Sequence, residues 1–179
     1  ILNMNIMETK KSPLVTIIIT NFNKSKYLVK ALKSCANQKY QEIEIIFFDD
    51  KSTDNSLKKL YNFKKKNKIN LKIITNKKKI QKTAPVNQII GIKNSLKKSK
   101  GKFIFFLDSD DFFHKNKIYE VINIYIKNYK KKLIIDQPIY KYKNKEIKKK
   151  YYFQKVKNKW PKFPPTSCMS FEAKTLKKV

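Results

Sequence analysis

Short apolar runs rich in β-branched and aromatic residues recur along the chain, separated by segments in which apolar residues follow helical spacing. Each run has the length and composition of a strand that is buried on both faces. The predicted strands are residues 14–20 (LVTIIIT), 42–48 (EIEIIFF), 71–75 (LKIIT) and 103–107 (FIFFL).

Apolar residues recur at helical spacing after each of these strands, which predicts an amphipathic helix at each place. Asn23 or Ser25 can cap the first helix, and Asp54 or Asn55 can cap the second. The apolar stripes run through residues 27–35, 57–61, 86–96 and 118–129.

Strands that alternate with helices predict right-handed βαβ units, and therefore an α/β fold with a mostly parallel sheet flanked by helices. The 179 residues have the length of one ordinary domain. From Leu133 onward the pattern loosens into short candidate strands at residues 133–136, 138–142 and 151–156.

The chain carries 43 basic residues against 13 acidic ones, a formal net charge of +30. Such an excess attracts polyanions, yet every basic residue is Lys, and Arg is the residue favoured for bidentate contacts to phosphates and base edges. We therefore expect no nucleic-acid partner, and the abundance of Lys, Asn and Ile is typical of an AT-rich genome. Peripheral contact of the Lys-rich, aromatic tail with an anionic membrane stays open.

Cysteine and histidine are too sparse for a disulfide framework, a His-based triad or a multi-His metal site. Cys35 and Cys168 lie far apart, and His114 is the single histidine. No apolar run approaches the roughly 20 residues that span a bilayer. We expect a cytoplasmic protein in a reducing environment, with the inner face of the membrane as the alternative location.

Two clusters of carboxylates directly follow predicted strands and hold six of the seven Asp residues. The carboxyl ends of the strands form the ligand-binding edge of an open α/β sheet, so we expect both clusters to reach one crevice. Neighbouring carboxylates need a compensating cation, which lysines or a divalent ion can supply. A Mg²⁺ or Mn²⁺ site and a solvated turn with helix-capping Asp are both open on these residues alone. The clusters are Asp49, Asp50 and Asp54, and Asp108, Asp110 and Asp111.

The spacing of residues after Asp108 limits which kind of carboxylate site the second cluster can form. An EF-hand loop is excluded, because Phe113 and Tyr119 stand where that loop needs Gly and Glu. A haloacid-dehalogenase-like phosphatase using Asp108 and Asp110 is the alternative enzyme, although Phe112 occupies the position of its Thr or Val. The alternative to an enzyme is a non-catalytic remnant of one that binds nucleotides or anionic surfaces.

Three motifs in a fixed order carry a family resemblance: TIIITNFN continued by KSKYLVKALKSCANQ, then EIEIIFFDDKSTDNS, then GKFIFFLDSDDFF. Over nearly its whole length the chain resembles glycosyltransferase family 2, in the nucleotide-sugar-binding half of the GT-A fold. The resemblance implies an inverting glycosyltransferase that moves a sugar from a nucleotide-diphosphate donor, a UDP-sugar, to an acceptor hydroxyl. It also implies Mn²⁺ or Mg²⁺ as cofactor, a saccharide or glycolipid acceptor and a role in polysaccharide biosynthesis.

The resemblance further implies how the donor base is bound. Phe22 stands where family members stack an aromatic ring on the base, and Thr20 lies in the same loop. Asp50 matches the Asp that accepts a hydrogen bond from the base, with Asp49 beside it in a structural role. Asp54 is expected to shape the following turn and to cap the second helix.

The diphosphate end of the donor is assigned in the same way. Asp110 matches the principal metal ligand, Asp108 a second contact to the metal, its water or the ribose, and Asp111 a supporting residue. Lys82 is the nearest match to an Arg that family members carry near the diphosphate. Lys51 stands where the family often has Gly.

We expect three portions along the chain: an N-terminal tail at residues 1–13, a nucleotide-sugar-binding portion at 14–132, and an incomplete acceptor-binding portion at 133–179. Within it, the stretch PPTSCMSFEA resembles the segment through which family members enter the acceptor-binding half. The family's catalytic base follows this point, and Glu172 comes too early to match it. We therefore expect the base beyond Val179 and assign no catalytic residue.

Overall fold

A computed structural model describes residues 12–76, 83–142, 145–148 and 165–176. Its helices are α1 (Ser25–Ala36), α2 (Ser56–Lys66), α3 (Ala84–Leu96), α4 (Lys117–Lys127) and α5 (Ala173–Leu176), with a 3-10 turn at Thr166–Cys168. Its strands are β1 (Val15–Asn21), β2 (Ile43–Asp49), β3 (Leu71–Thr75), β4 (Phe103–Asp108), β5 (Leu133–Ile135), β6 (Ile139–Tyr142), β7 (Lys145–Lys148) and β8 (Met169–Glu172).

Six strands form one sheet in the order β3-β2-β1-β4-β8-β5, and β6 pairs with β7 separately. The pairs β3–β2, β2–β1 and β1–β4 are parallel, whereas β8 is antiparallel to both β4 and β5. The predicted mostly parallel α/β sheet is confirmed. Because β5 and β8 belong to residues 133–179 and complete the same sheet, the division of the chain into portions stays a prediction.

Alternating residues of β1 supply two apolar layers, because successive strand side chains point to opposite faces. Ile17 and Ile19 join a core with buried residues of α1, α2 and α4. Ile18 joins a smaller core against α3, β8 and α5. The helices therefore cover both faces of the sheet and leave the carboxyl ends of its parallel strands at one edge.

Helix α3 packs differently from its predicted stripe. Ile89 is 63% exposed, and the buried positions are Gly91 and Ser95. A Cβ at Gly91 would lie 2.5 Å from the ring of Phe48, so the helix approaches the sheet through its small residues. The predicted helix is confirmed, and Leu96 packs against the smaller core, whereas Ile89 does not belong to the buried face.

Other local expectations also change. Helix α1 begins after Lys24, whose side chain does not cap it, so the capping prediction for Asn23 and Ser25 is wrong. The stripe predicted over 118–129 is too long, because α4 ends at Lys127. Strand β8 was not predicted, and the candidate strand at 151–156 lies outside the described residues. Within the residues that are described, no helix is long and apolar enough to cross a membrane.

Candidate functional site

The two Asp clusters lie on either side of the end of β1. In the sheet register, Asn21 is opposite Asp49 on β2, and Thr20 is opposite Asp108 on β4. The prediction that distant segments bring carboxylates to one edge of the sheet is confirmed.

Asp49 holds the turn after β2 together. Its side chain is fully buried, and its carboxylate accepts hydrogen bonds from the Asn21 amide at 2.8 Å and from the Ser52 hydroxyl at 2.7 Å. The Ser52 backbone N–H donates to it as well, at 2.8 Å. This is the structural role expected of Asp49. Lys51, at φ 55°, occupies the left-handed region that favours glycine, which explains why Gly suits this position.

Asp50 is buried beside it and is oriented by two amides. Asn76 donates to one carboxylate oxygen at 2.6 Å, and Asn87 donates to the other at 2.8 Å. The carboxylate is therefore fixed at the sheet edge, with further lone pairs on each oxygen. Asn76 follows β3 and Asn87 lies on α3, and the sequence offered no signal for either contact.

Phe22 and Thr20 form the rim at the end of β1. Phe22 is 43% exposed, so its ring is accessible at the edge where Asp50 lies. Thr20 is half-buried, and its hydroxyl lies 3.4 Å from the amide nitrogen of Gln88. Lys82, predicted to contact the diphosphate, lies outside the described residues.

Asp108 is held by hydrogen bonds on both of its carboxylate oxygens. Gln88 donates to one at 2.5 Å, and the Thr166 hydroxyl donates to the other at 2.6 Å. Burial raises the pKa of Asp108, and the charges of Asp111 and Asp110 raise it further. Asp108 thus stands in a crowded anionic site that favours a nearby cation.

The other two carboxylates of the cluster have different partners. Asp111 accepts a hydrogen bond from the Ser167 hydroxyl at 2.6 Å. Asp110 forms an ion pair with Lys24, whose ammonium lies 2.7 Å from its Oδ2. This hydrogen bond to Asp110, together with the Coulombic attraction, raises the pKa of Lys24.

These carboxylates fit a divalent cation only in a limited way. In the described part of the chain no three His, Cys, Asp or Glu residues converge as a complete metal site. Mg²⁺ and Mn²⁺ need few protein oxygens when phosphate and water complete the shell, so hard carboxylate donors suffice. Asp110 suits this role best, because its side chain is 39% exposed whereas Asp108 is committed to Gln88 and Thr166.

A cavity of about 470 Å³ opens next to the acidic cluster. Asp111 and Ser167 line it on the side of the cluster, and aromatic, charged and amide groups line the rest. These further lining residues include Phe112, Phe113, His114, Lys117, Asp136 and Gln137. The mixture of aromatic faces and polar groups suits a ligand with hydroxyl groups.

Comparison with known proteins identifies the family of this fold and site. The model of Glycosyl transferase family 2 matches residues 16–177. The chain belongs to this family. A relative from Haemophilus influenzae, described as an uncharacterized glycosyltransferase, is 38% identical over 119 residues, which are 65% of this chain and 44% of the relative. The family resemblance is confirmed.

Solved structures of two glycosyltransferases share the fold. Staphylococcus aureus TarS 1-349, solved with UDP, has a TM-score of 0.70 and 21% identity, over 92% of this chain and 48% of that one. The mannosyltransferase PcManGT from Pyrobaculum calidifontis, solved with GDP-Man and Mn²⁺, has a TM-score of 0.57 and 16% identity, over 65% of this chain and 33% of that one. The predicted GT-A fold is confirmed, and the chain spans less than half the length of these proteins.

Proposed function

We propose that this family 2 chain binds a UDP-sugar at the carboxyl edge of its sheet and contributes to transferring that sugar, with inversion, to an acceptor hydroxyl. The observation that carries the proposal is that three residues meet at the end of β1. Phe22 directly follows this strand, the Asp50 N–H donates to the carbonyl of its last residue, Asn21, and Asp110 follows the paired strand β4. The accessible ring of Phe22 and the oriented carboxylate of Asp50 suit the base of a nucleotide diphosphate, and the exposed carboxylate of Asp110 suits its diphosphate end. The UDP complex of TarS supports this donor class.

The base would bind at the β2 side of the site. A uracil ring can stack on Phe22, and its imide N–H can donate to the Asp50 carboxylate. Asn76 and Asn87 hold that carboxylate in place before the ligand arrives, which lowers the cost of binding. Recognition through a fixed acceptor favours bases that carry an N–H at this position.

The diphosphate would lie at the β4 side. Asp110, with Asp108 beside it, would hold a Mg²⁺ or Mn²⁺ ion, which when bound supplies positive charge to the leaving diphosphate. The Mn²⁺ in the PcManGT complex supports this cofactor class. Gln88 and Thr166 fix the orientation of Asp108, so this part of the edge is rigid.

The acceptor, a saccharide or glycolipid, would enter the cavity beside Asp111. The aromatic residues Phe112 and Phe113 of this cavity can contact the apolar face of a sugar, and Gln137 can form hydrogen bonds with the hydroxyl groups of the sugar. Among the described residues we assign no catalytic base.

Calorimetric titration of UDP tests the proposal. We expect UDP to bind with Mn²⁺ at least about tenfold more tightly than with EDTA, a difference of about 1.4 kcal/mol. Asp110→Asn should remove this difference because it removes the carboxylate charge that holds the metal, while the fold survives.

The matched control is Glu172→Gln, which also removes a carboxylate paired with a lysine. Glu172 pairs in register with Phe103, at the opposite end of β4 from Asp110, so this variant should bind UDP as the native chain does. Equal UDP affinity in Mn²⁺ and in EDTA would show that the metal assignment is wrong.

A further inference from the structure

Lys24 joins two loops that are far apart in the sequence and adjacent at the site. It lies 86 residues before Asp110, and its ammonium contacts the Asp110 carboxylate at 2.7 Å. Both side chains are partly exposed, at 44% and 39%. The contact therefore lies where a ligand can reach it.

The lysine side chain has no evident task in the helix that follows. The backbone carbonyl oxygen of Lys24 accepts hydrogen bonds from the N–H groups of Tyr27 and Leu28, and the backbone of any residue can do this. Within the described residues, the Lys24 ammonium donates a hydrogen bond to the Asp110 carboxylate, and it interacts electrostatically with Tyr27 and Asp108. Its side chain thus serves that cluster.

The ion pair and a metal compete for the same carboxylate. Asp110 is the residue best suited to hold a divalent ion, and Lys24 occupies its Oδ2. A divalent ion at Asp110 would also repel the ammonium at this short distance, because two cations then share one anionic group.

We propose that Lys24 is a displaceable counter-cation, which neutralises Asp110 in the metal-free protein and leaves it when a divalent ion binds. This inference rests on the proposed donor site. Lys24 weakens metal binding in the absence of nucleotide, since the ion must first displace it. A bound nucleoside diphosphate adds negative charge that accommodates both cations, so metal and donor bind cooperatively.

Titration of Mn²⁺ alone, with free Mn²⁺ measured by electron paramagnetic resonance, tests the competition. Lys24→Gln should bind Mn²⁺ about 1.5- to fivefold more tightly than the native chain, the range expected when a partly exposed ion pair is removed. Lys24→Arg keeps the charge and the pair, so it should behave as the native chain does. Added salt should reduce the difference, because it screens the exposed pair.

The control for charge is Lys26→Gln, which makes the same substitution two residues away. Lys26 lies near the ring of Tyr27, so this variant should retain the native Mn²⁺ affinity. Lys24→Met provides a second neutral variant in case the Gln variant folds poorly, and it should show the same gain.

UDP titrations of the same proteins separate this inference from the proposed function. UDP should increase Mn²⁺ affinity by a larger factor in the native chain than in Lys24→Gln. Identical Mn²⁺ affinities in the native chain, Lys24→Gln and Lys26→Gln, with UDP binding still dependent on Mn²⁺, would overturn the role of Lys24 alone. UDP binding that ignores Mn²⁺ in every protein would overturn the proposed metal site, and the role of Lys24 with it.

Discussion

Phe22 is a partly exposed apolar ring at the polar edge of the sheet, where a base can stack on it. We expect Phe22→Ala to weaken UDP binding by about 1 to 3 kcal/mol through loss of base stacking, as measured by calorimetry. The free energy of unfolding should change little, because the ring is 43% exposed in the free chain.

Tyr61 provides the matched control for this substitution. Its side chain is 54% exposed on α2, and Tyr61→Ala removes a similar ring that makes no contact with the proposed site residues in the described part of the chain. It should bind UDP normally. A Phe22→Ala variant that binds UDP as tightly as Tyr61→Ala would contradict the stacking role.

At the residue scale, sequence motifs predict the anionic residues of the site and miss their partners. The run DSDD after an apolar strand predicts the cluster at the sheet edge, because strand ends and carboxylates are visible in sequence. Lys24, Gln88 and Thr166 contact that cluster from segments 86, 20 and 58 residues away. Only the fold brings such ordinary polar residues together, so no local pattern distinguishes them.

At the element scale, Asp54 links the first turns of two helices. Its carboxylate accepts hydrogen bonds from the N–H of Ser25, which begins α1, and from the N–H of Ser56, which begins α2. Desolvation by its neighbours favours a higher pKa for the exposed Asp54, but the hydrogen bonds from Ser56 and Ser25 outweigh it and lower the pKa to about 2. The prediction that Asp54 caps the second helix is confirmed, and the first helix shares the same carboxylate.

We expect Asp54→Ala to lower the free energy of unfolding by about 1 kcal/mol near neutral pH, the usual cost of losing a helix cap, in urea titrations. The pKa is depressed in the folded chain, so the charged carboxylate stabilises it above the unfolded value of 3.8. This stabilisation is lost as the pH falls toward about 2. The difference between native and variant should therefore shrink between about pH 4 and pH 2.

Asn55→Ala is the control, because Asn55 is the N-cap residue of α2 and its side chain makes no capping bond. It should leave the stability nearly unchanged. A difference between native and Asp54→Ala that stays constant down to pH 2 would contradict capping by a charged carboxylate.

The order of the first four strands and helices could be predicted because each has a continuous apolar run or stripe. Strand β8 could not, since MSFE contains no run of apolar residues and its position between β4 and β5 depends on distant pairing. Helix α3 misled the prediction because apolar spacing does not show which face packs. Its contact through Gly91 depends on the ring of Phe48 beneath it.

At the scale of the whole molecule, the charge of +30 and the donor site act on ligands in different ways. A basic surface attracts any polyanion, and that attraction weakens steeply with salt. The donor site recognises a base at the β2 side and a diphosphate at the β4 side of β1. Specific binding must therefore place the nucleotide at one defined position on the protein, with a divalent metal ion bound beside its diphosphate.

Crystals of the chain grown with UDP and Mn²⁺, with diffraction recorded at the manganese absorption edge, test this claim most directly. We predict an anomalous peak about 2 Å from an Asp110 carboxylate oxygen, with the diphosphate beside it. The uracil should lie on Phe22 and against Asp50. A nucleotide bound elsewhere, or a manganese peak away from Asp110, would contradict the donor site proposed for this edge of the sheet.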